Sequence, residues 1–252
     1  MDTNISRRAL PSRHKKILSV LIIALAVIGG LYIENHQQNI QQQEAPATSG
    51  AQTTVNTTAE LSPQKYPTAL QALAALAVKG RAPKTGYARV QYGSGWEISG
   101  GCSTRDHILA RDLTSVALQP GNCNVSSGIL NDPYTGKVIN FTRGASTSSA
   151  IQIDHVVALS DAWQKGAQLL TPALREQMAN DSLELLAVDG PSNQVKGDGD
   201  AATWLPPNKS FRCSYVARQV SVKVKYSLWV TLAEKTAIQK LLADCPNQPL
   251  PT

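Results

Sequence analysis

The stretch that decides the fold is IQIDHVVAL, residues 151–159. Its β-branched and apolar residues are typical of a buried strand, yet it contains Asp154 and His155. Burying two polar side chains costs free energy unless both find partners. One interpretation is a hydrogen-bonded core histidine capped by the aspartate, and the other is a functional site. Neighbouring residues of a regular strand point to opposite faces, so a shared site requires a bulge or a strand end here.

The sequence that follows predicts a second strand and a short helix. Short helices are expected to begin at Ser160 and at Thr171-Pro172, and residues 184–188 are expected to form a second strand. A turn at 189–191 then leads into a short helix that carries Asn193 and Lys196. The predicted order is therefore strand, inserted helices, strand, short helix.

The rest of the folded part also mixes helices and strands. Residues 67–78 are rich in Ala and Leu, and Thr104 is the expected N-cap of a helix that ends at Leu113. Residues 138–142 alternate as a strand. The fold class predicted is α+β.

The amino terminus is organised as an export segment. Residues 1–16 are basic, residues 17–33 are uncharged and apolar, and residues 34–64 are rich in Gln, Thr, Ser and Ala. The apolar run would cover roughly 25 Å as a helix, which fits a transmembrane anchor or a signal segment. Basic residues before the run place the terminus in the cytoplasm and the remainder outside it. Residues 34–64 are expected to be a disordered linker, and residues 65–252 the folded domain.

The cysteines support an oxidising compartment. Cys102, Cys123, Cys213 and Cys245 match no zinc-binding spacing, so two disulfides are expected. Residues 210–225 and a helix capped by Thr231 would form an antiparallel pair. That pair brings Cys213, at the start of the first helix, beside Cys245, at the end of the second. Cys102 then pairs with Cys123.

Several motifs in order resemble a known family. Asp154-His155, then Asn180, then Asn193 three residues before Lys196, resembles the HNH endonucleases. The wider stretches 101–106, 132–136, 154–163, 193–198 and 204–207 resemble exported bacterial HNH proteins related to the carboxy-terminal domain of GmrSD restriction enzymes. The resemblance covers about residues 87–245.

The resemblance implies a ββα-metal (HNH) centre embedded in helices, with one divalent metal. His155 would be the general base, and Asn180 would tie down the loop that orients it. Asp154 and the side-chain oxygen of Asn193 would be the metal ligands. Many HNH enzymes have His at the last position, so Asn193 favours an oxygen-seeking ion, Mg²⁺ or Mn²⁺.

The predicted function is hydrolysis of phosphodiester bonds in DNA, with RNA as a further candidate substrate. A net charge of +6 agrees with a polyanionic partner. Lys196 and Arg143 are expected to contact phosphates, whereas Arg105 is expected to form a structural salt bridge. The alternative is a catalytically inactive nucleic-acid-binding module on the cell surface. The protein is expected to be extracytoplasmic, held by its amino-terminal helix or secreted, and monomeric by default.

Overall fold

The computed structural model describes residues 65–251. The predicted basic segment 1–16, apolar segment 17–33 and linker 34–64 lie outside the described residues. Between residues 65 and 251, no helix is both long enough and apolar enough to cross a membrane.

The described chain alternates short helices with antiparallel strands. The helices are α1 (Ala69–Ala75), α2 (Thr104–Asp112), α3 (Leu159–Trp163), α4 (Pro172–Asn180), α5 (Gly190–Lys196), α6 (Arg212–Lys225) and α7 (Leu232–Ala243). The strands are β1 (Ile98–Ser99), β2 (Cys102–Ser103), β3 (Thr114–Leu118), β4 (Val125–Asn131), β5 (Val138–Thr142), β6 (Ile151–His155) and β7 (Leu185–Asp189). Short 3₁₀ turns occur at Arg89–Tyr92, Ser148–Ala150, Ala167–Leu169 and Lys209–Phe211.

Strands β6 and β7 form an antiparallel pair in which Ile151 faces Asp189 and His155 faces Leu185. Strand β6 is shorter than the predicted 151–159. The Val156 amide still donates to the Glu184 carbonyl, but the Val157 amide donates to the Glu184 carboxylate instead of a main-chain carbonyl. At the end of the β6-β7 ladder, the Glu184 side chain therefore replaces a main-chain carbonyl as the hydrogen-bond acceptor. Helix α3 begins shortly after, at Leu159.

Helix α5 begins directly after β7 and packs on both strands of the pair. The Asp189 side chain accepts the Ser192 amide at 2.8 Å, and Pro191 occupies the first turn, where a missing amide hydrogen costs nothing. The predicted turn at 189–191 is thus the N-terminus of the helix. The resulting order is strand, strand, helix, with α3 and α4 inserted between the strands.

A three-stranded antiparallel sheet, β3-β4-β5, lies beside this unit. The prediction for residues 138–142 is confirmed by β5, whereas β3 and β4 were not predicted. Ser126, Ser127 and Gly128 interrupt the apolar pattern of β4. A small core fills the space between this sheet, α2 and the β6-β7 pair, formed by Ile108, Leu109, Leu113, Val125, Leu130, Phe141, Ile151, Ile153, Leu185 and Ala187.

The larger core contains α1, α3, α4, α6 and α7. Helix α7 starts as predicted, with the Thr231 hydroxyl accepting the Glu234 amide at 3.1 Å. Helix α2 starts one residue earlier than expected, because Ser103 rather than Thr104 is its N-cap and accepts the Asp106 amide. The described fold is therefore mixed helix and sheet.

Both predicted disulfides are confirmed. Cys213 is bonded to Cys245, with their Cα atoms 6.5 Å apart, and Cys102 is bonded to Cys123, with a Cα separation of 5.7 Å. No free cysteine occurs among residues 65–251. The α6-α7 geometry inferred from the sequence is the reason the first pairing could be predicted.

Candidate active site

A cleft of about 430 Å³ opens at the end of β6, beside the second half of α5. It brings together three of the predicted site residues, Asp154, His155 and Asn193. A neighbouring depression of about 340 Å³ shares His155 and Trp96 with the cleft. The strand end anticipated in the sequence is present, since β6 stops at His155 and both polar side chains line one cleft.

His155 is a buried, neutral imidazole held on two sides. Its Nε2 lies 3.0 Å from the Ala179 carbonyl oxygen, which can only accept, so Nε2 carries the hydrogen. The Trp96 ring stacks against the imidazole, with ring centroids 5.8 Å apart and planes 8° from parallel. Burial lowers the pKa of His155 from 6.5 to about 3. The Nδ1 atom of a neutral ring in this tautomer is a proton acceptor.

Asn180 fixes both groups that hold His155. Its side-chain oxygen accepts the Glu97 amide at 2.8 Å, one residue after Trp96, and its Nδ2 donates to the Glu176 carbonyl at 3.1 Å. Ala179, whose carbonyl receives the His155 hydrogen bond, is the residue before it. Asn180 thus lies where it can tie down the wall of the site, although it does not touch His155.

Asp154 is almost fully buried and is held by two side chains. The Tyr134 hydroxyl donates to it, and Lys196 Nζ lies 2.8 Å from each carboxylate oxygen. Lys196 Nζ also donates to the His155 carbonyl at 2.6 Å. Burial raises the pKa of Asp154, and the charge of Lys196 opposes that rise.

Lys196 was expected to contact a substrate phosphate, but its position in the structure does not allow this. Its side chain is fully buried, and its three acceptors account for the three hydrogens of an ammonium group. No donor remains for a substrate phosphate. The structure makes Lys196 the internal counter-ion of Asp154.

Asn193 lines the same cleft from α5. Its Nδ2 donates to Gln152 Oε1 at 2.9 Å, which leaves its Oδ1 as the acceptor group of the amide. An ionised carboxylate offers about four acceptor positions, of which Asp154 uses three. One position on Asp154 and the Asn193 oxygen are therefore available in the same cleft. This oxygen donor set fits Mg²⁺ or Mn²⁺, which bind few protein ligands and keep several waters.

Arg143 is not brought to this cleft. Its guanidinium pairs with Asp106 and donates to the Val125 carbonyl at 2.6 Å. The salt bridge expected for Arg105 is wrong within residues 65–251, where no carboxylate lies within 4.0 Å of it. Arg105 instead donates to the carbonyls of Ser148 and Ile151, at 3.3 and 3.0 Å, and lines the cleft.

Three residues of the site were missed in the sequence. Tyr134 lies within the quoted stretch 132–136, so its place in a motif was a usable signal. Trp96 and Arg89 lie in a Gly- and Ser-containing segment whose pattern predicts only a loop. That segment is held against α4, where Arg175 Nε donates to the Gln91 carbonyl at 2.9 Å.

A second group of acidic residues resembles a metal site but holds an ammonium group. Carboxylate oxygens of Asp161, Asp200 and Glu234 lie within 4.8 Å of one another. Lys165 Nζ lies between them, at 2.8, 2.7 and 2.7 Å from the three carboxylates. The lysine occupies the position that a cation would need, so this cluster is a structural ion network.

Comparison with known proteins agrees with the site. The family model of the carboxy-terminal domain of GmrSD restriction endonucleases matches residues 103–241, more than half of the chain. The chain belongs to this family. The matched residues include the whole β6-β7-α5 unit. No solved structure matches the chain significantly.

The chain is also similar to a fungal protein. An uncharacterized secreted protein of Arthroderma benhamiae is 39% identical over 180 residues, which is 71% of this chain and 85% of the relative. A fungal relative does not support the restriction to bacterial proteins that the sequence motifs implied. The description of the relative as secreted agrees with the two disulfides, which are typical of proteins outside the cytoplasm.

Proposed function

We propose that this protein is a metal-dependent endonuclease of the HNH type that hydrolyses phosphodiester bonds of DNA, with RNA as a second candidate substrate. The observation that carries the proposal is a neutral, buried imidazole whose Nδ1 is unused, in one cleft with the oxygens of Asp154 and Asn193. Membership in a restriction-endonuclease family supports a nuclease-like activity.

The chemistry follows from the state of His155. Its Nδ1 accepts a proton from a water molecule, and the hydroxide so formed attacks phosphorus while the bond to the leaving oxygen breaks. Burial is the main cause of the low pKa of His155, and the positive charges of Arg89 and Lys196 lower it further. The negative charge of a bound phosphodiester would oppose these effects, raising the pKa of His155 and strengthening the base when substrate is present.

The ligand residues have a separate task. Asp154 and Asn193 would hold the divalent ion, which when bound supplies charge stabilisation to the phosphate and to the leaving oxygen. Tyr134 and Lys196 hold the Asp154 carboxylate in place and lower its pKa against the opposing effect of burial. Asn180 and Trp96 keep the imidazole plane fixed. The enzyme acts outside the cytoplasm in this proposal, anchored by residues 17–33 or released.

The test is metal-dependent cleavage of a plasmid by wild type, His155→Ala and His107→Ala. His107 is the matched control, because it is exposed on α2 and only contacts the Ser99 carbonyl. His155→Ala should lose about 10²–10⁴-fold in rate, the usual contribution of a general base. His107→Ala should cleave like wild type. Excess chelator should abolish cleavage by wild type and by His107→Ala.

Binding distinguishes the inactive-module alternative. Affinity for DNA should be nearly the same in His155→Ala and wild type, because a neutral imidazole contributes little to phosphate binding. A wild type that binds DNA and cleaves nothing in Mg²⁺ or Mn²⁺ would favour the inactive module. Folded His155→Ala with wild-type cleavage would make His155 a structural histidine.

A further inference from the structure

The charges that line the cleft do not balance. Its acidic residues are Asp154 and Asp198, and each has a lysine partner, Lys196 at 2.8 Å and Lys84 at 2.9 Å. Its basic residues are Arg89 and Arg105. Neither lies within 4.0 Å of a carboxylate in the part of the chain that the structure describes. The cleft therefore carries two positive charges that the described protein does not neutralise.

Arg105 is held in a costly position. It lies in the first turn of α2, where the helix dipole disfavours a cation. Burial and the nearby charge of Arg143 both lower its pKa. The adjacent Asp106 offsets this only in part, and its carboxylate also pairs with Arg143 and accepts from Val125 and Ser103. No carboxylate in the described part of the chain forms an ion pair with Arg105, whereas an anion in the cleft would balance its charge.

Hydrogen bonding fixes the direction of Arg105. Its NH2 group donates to the carbonyls of Ser148 and Ile151, the latter at the start of β6, four residues before His155. A guanidinium has five N–H groups, so NH1 and Nε keep donors for a ligand. Arg105 is thus preorganised by the strand that delivers the catalytic base.

Arg89 differs from Arg105 in the exposure of its side chain and in the contacts that hold its backbone. It lines both the cleft and the adjoining depression, and its side chain is exposed. Its backbone lies in the 3₁₀ turn Arg89–Tyr92, where the Tyr92 hydroxyl donates to the Leu159 carbonyl at 2.8 Å. The backbone is therefore anchored while the guanidinium can follow a flexible polyanion.

We propose that Arg89 and Arg105 bind substrate phosphates in place of Arg143 and Lys196. This inference rests on the proposed nuclease function. Arg105 contacts the phosphate that reacts at His155, and Arg89 contacts a neighbouring phosphate along the strand. Both arginines line the cleft that contains His155, so in this proposal the backbone of the nucleic acid runs along the cleft past the end of β6.

The experiment measures binding of a fluorescein-labelled DNA duplex, in chelator, across a series of salt concentrations. Variants are Arg89→Met, Arg105→Met and the control Lys240→Met, a lysine exposed on α7. Each lost phosphate contact reduces the slope of log affinity against log salt by about 1. We expect that reduction for both arginine variants and an unchanged slope for the control.

Cleavage separates the two roles. Arg105→Met should lower kcat by about 10²–10³-fold, as expected for a preorganised donor to the reacting group. Arg89→Met should raise KM with little change in kcat. Arg105→Lys keeps one charge but not the guanidinium fork, so it should retain the salt slope and still lose most of kcat. It also provides a folded variant if Arg105→Met is unstable.

The outcomes are distinct. A wild type that neither binds nor cleaves DNA or RNA overturns both this inference and the proposed function. This inference alone is overturned if the wild type cleaves nucleic acid and three results hold. The salt slope is unchanged in Arg89→Met, the salt slope is unchanged in whichever Arg105 variant folds, and that Arg105 variant also keeps the wild-type kcat.

Discussion

Removal of Lys165 tests whether the balance of charges in a buried ion network stabilises the fold. Six groups form it, three carboxylates and three cations, and all but Arg81 are fully buried: Arg81, Asp161, Lys165, Asp200, Lys223 and Glu234. Lys165→Met keeps the approximate volume and removes one charge. The remaining groups then carry a net negative charge in the interior.

The size of the effect follows from that imbalance. Breaking a buried ion pair by removing one partner typically costs about 3–5 kcal/mol, because the other charge stays buried. Lys165 has three such partners at 2.7–2.8 Å, so we expect the upper part of that range. For a domain of this size, the melting temperature should fall by about 10–20 °C.

The assay is urea unfolding followed by tryptophan fluorescence, with thermal melting by circular dichroism. Lys240→Met is the matched control and should change the unfolding free energy by less than about 0.5 kcal/mol. The double variant Lys165→Met, Glu234→Gln restores neutrality and should recover part of the loss. A Lys165→Met protein within about 1 kcal/mol of wild type, with no recovery in the double variant, would refute the reasoning.

Three further predictions concern the site and the disulfides. Folded His155 takes up a proton only near pH 3 and unfolded His155 near 6.5, so its contribution is complete above pH 6.5 and is lost as the pH falls towards 3. Urea unfolding should therefore show wild type losing about 3 kcal/mol more than His155→Leu between pH 7 and pH 4; parallel pH profiles would contradict this. Asn193→Ala should recover part of its cleavage rate at high Mg²⁺, because a ligand rather than the base is removed; a rate that does not respond to added metal would exclude a ligand role. Replacing Cys213 and Cys245 by Ser should lower the unfolding free energy by about 2–4 kcal/mol, and an unchanged denaturation midpoint would show that the bridge adds nothing.

The sequence by itself determined the features that depend on local pattern. The β-branched run with Asp154 and His155 indicated a strand, and the Thr231 cap indicated a helix start. Both disulfides followed from the α6-α7 geometry and the compartment. Ordered motifs over much of the domain indicated the family, which the family model then confirmed. These features are carried by residues close together in the chain, or by motifs whose order alone is informative.

Only the tertiary structure decided which side chains share the cleft. Arg105 and Lys196 are both basic residues near a motif, and their sequence contexts suggested the opposite roles. Their partners lie more than 40 positions away, on other elements. Asp200 lies in the polar stretch Gly197-Asp198-Gly199-Asp200, yet it is a buried member of the ion network. Burial and pairing of a charge depend on distant segments that fold against it, so local sequence does not specify them.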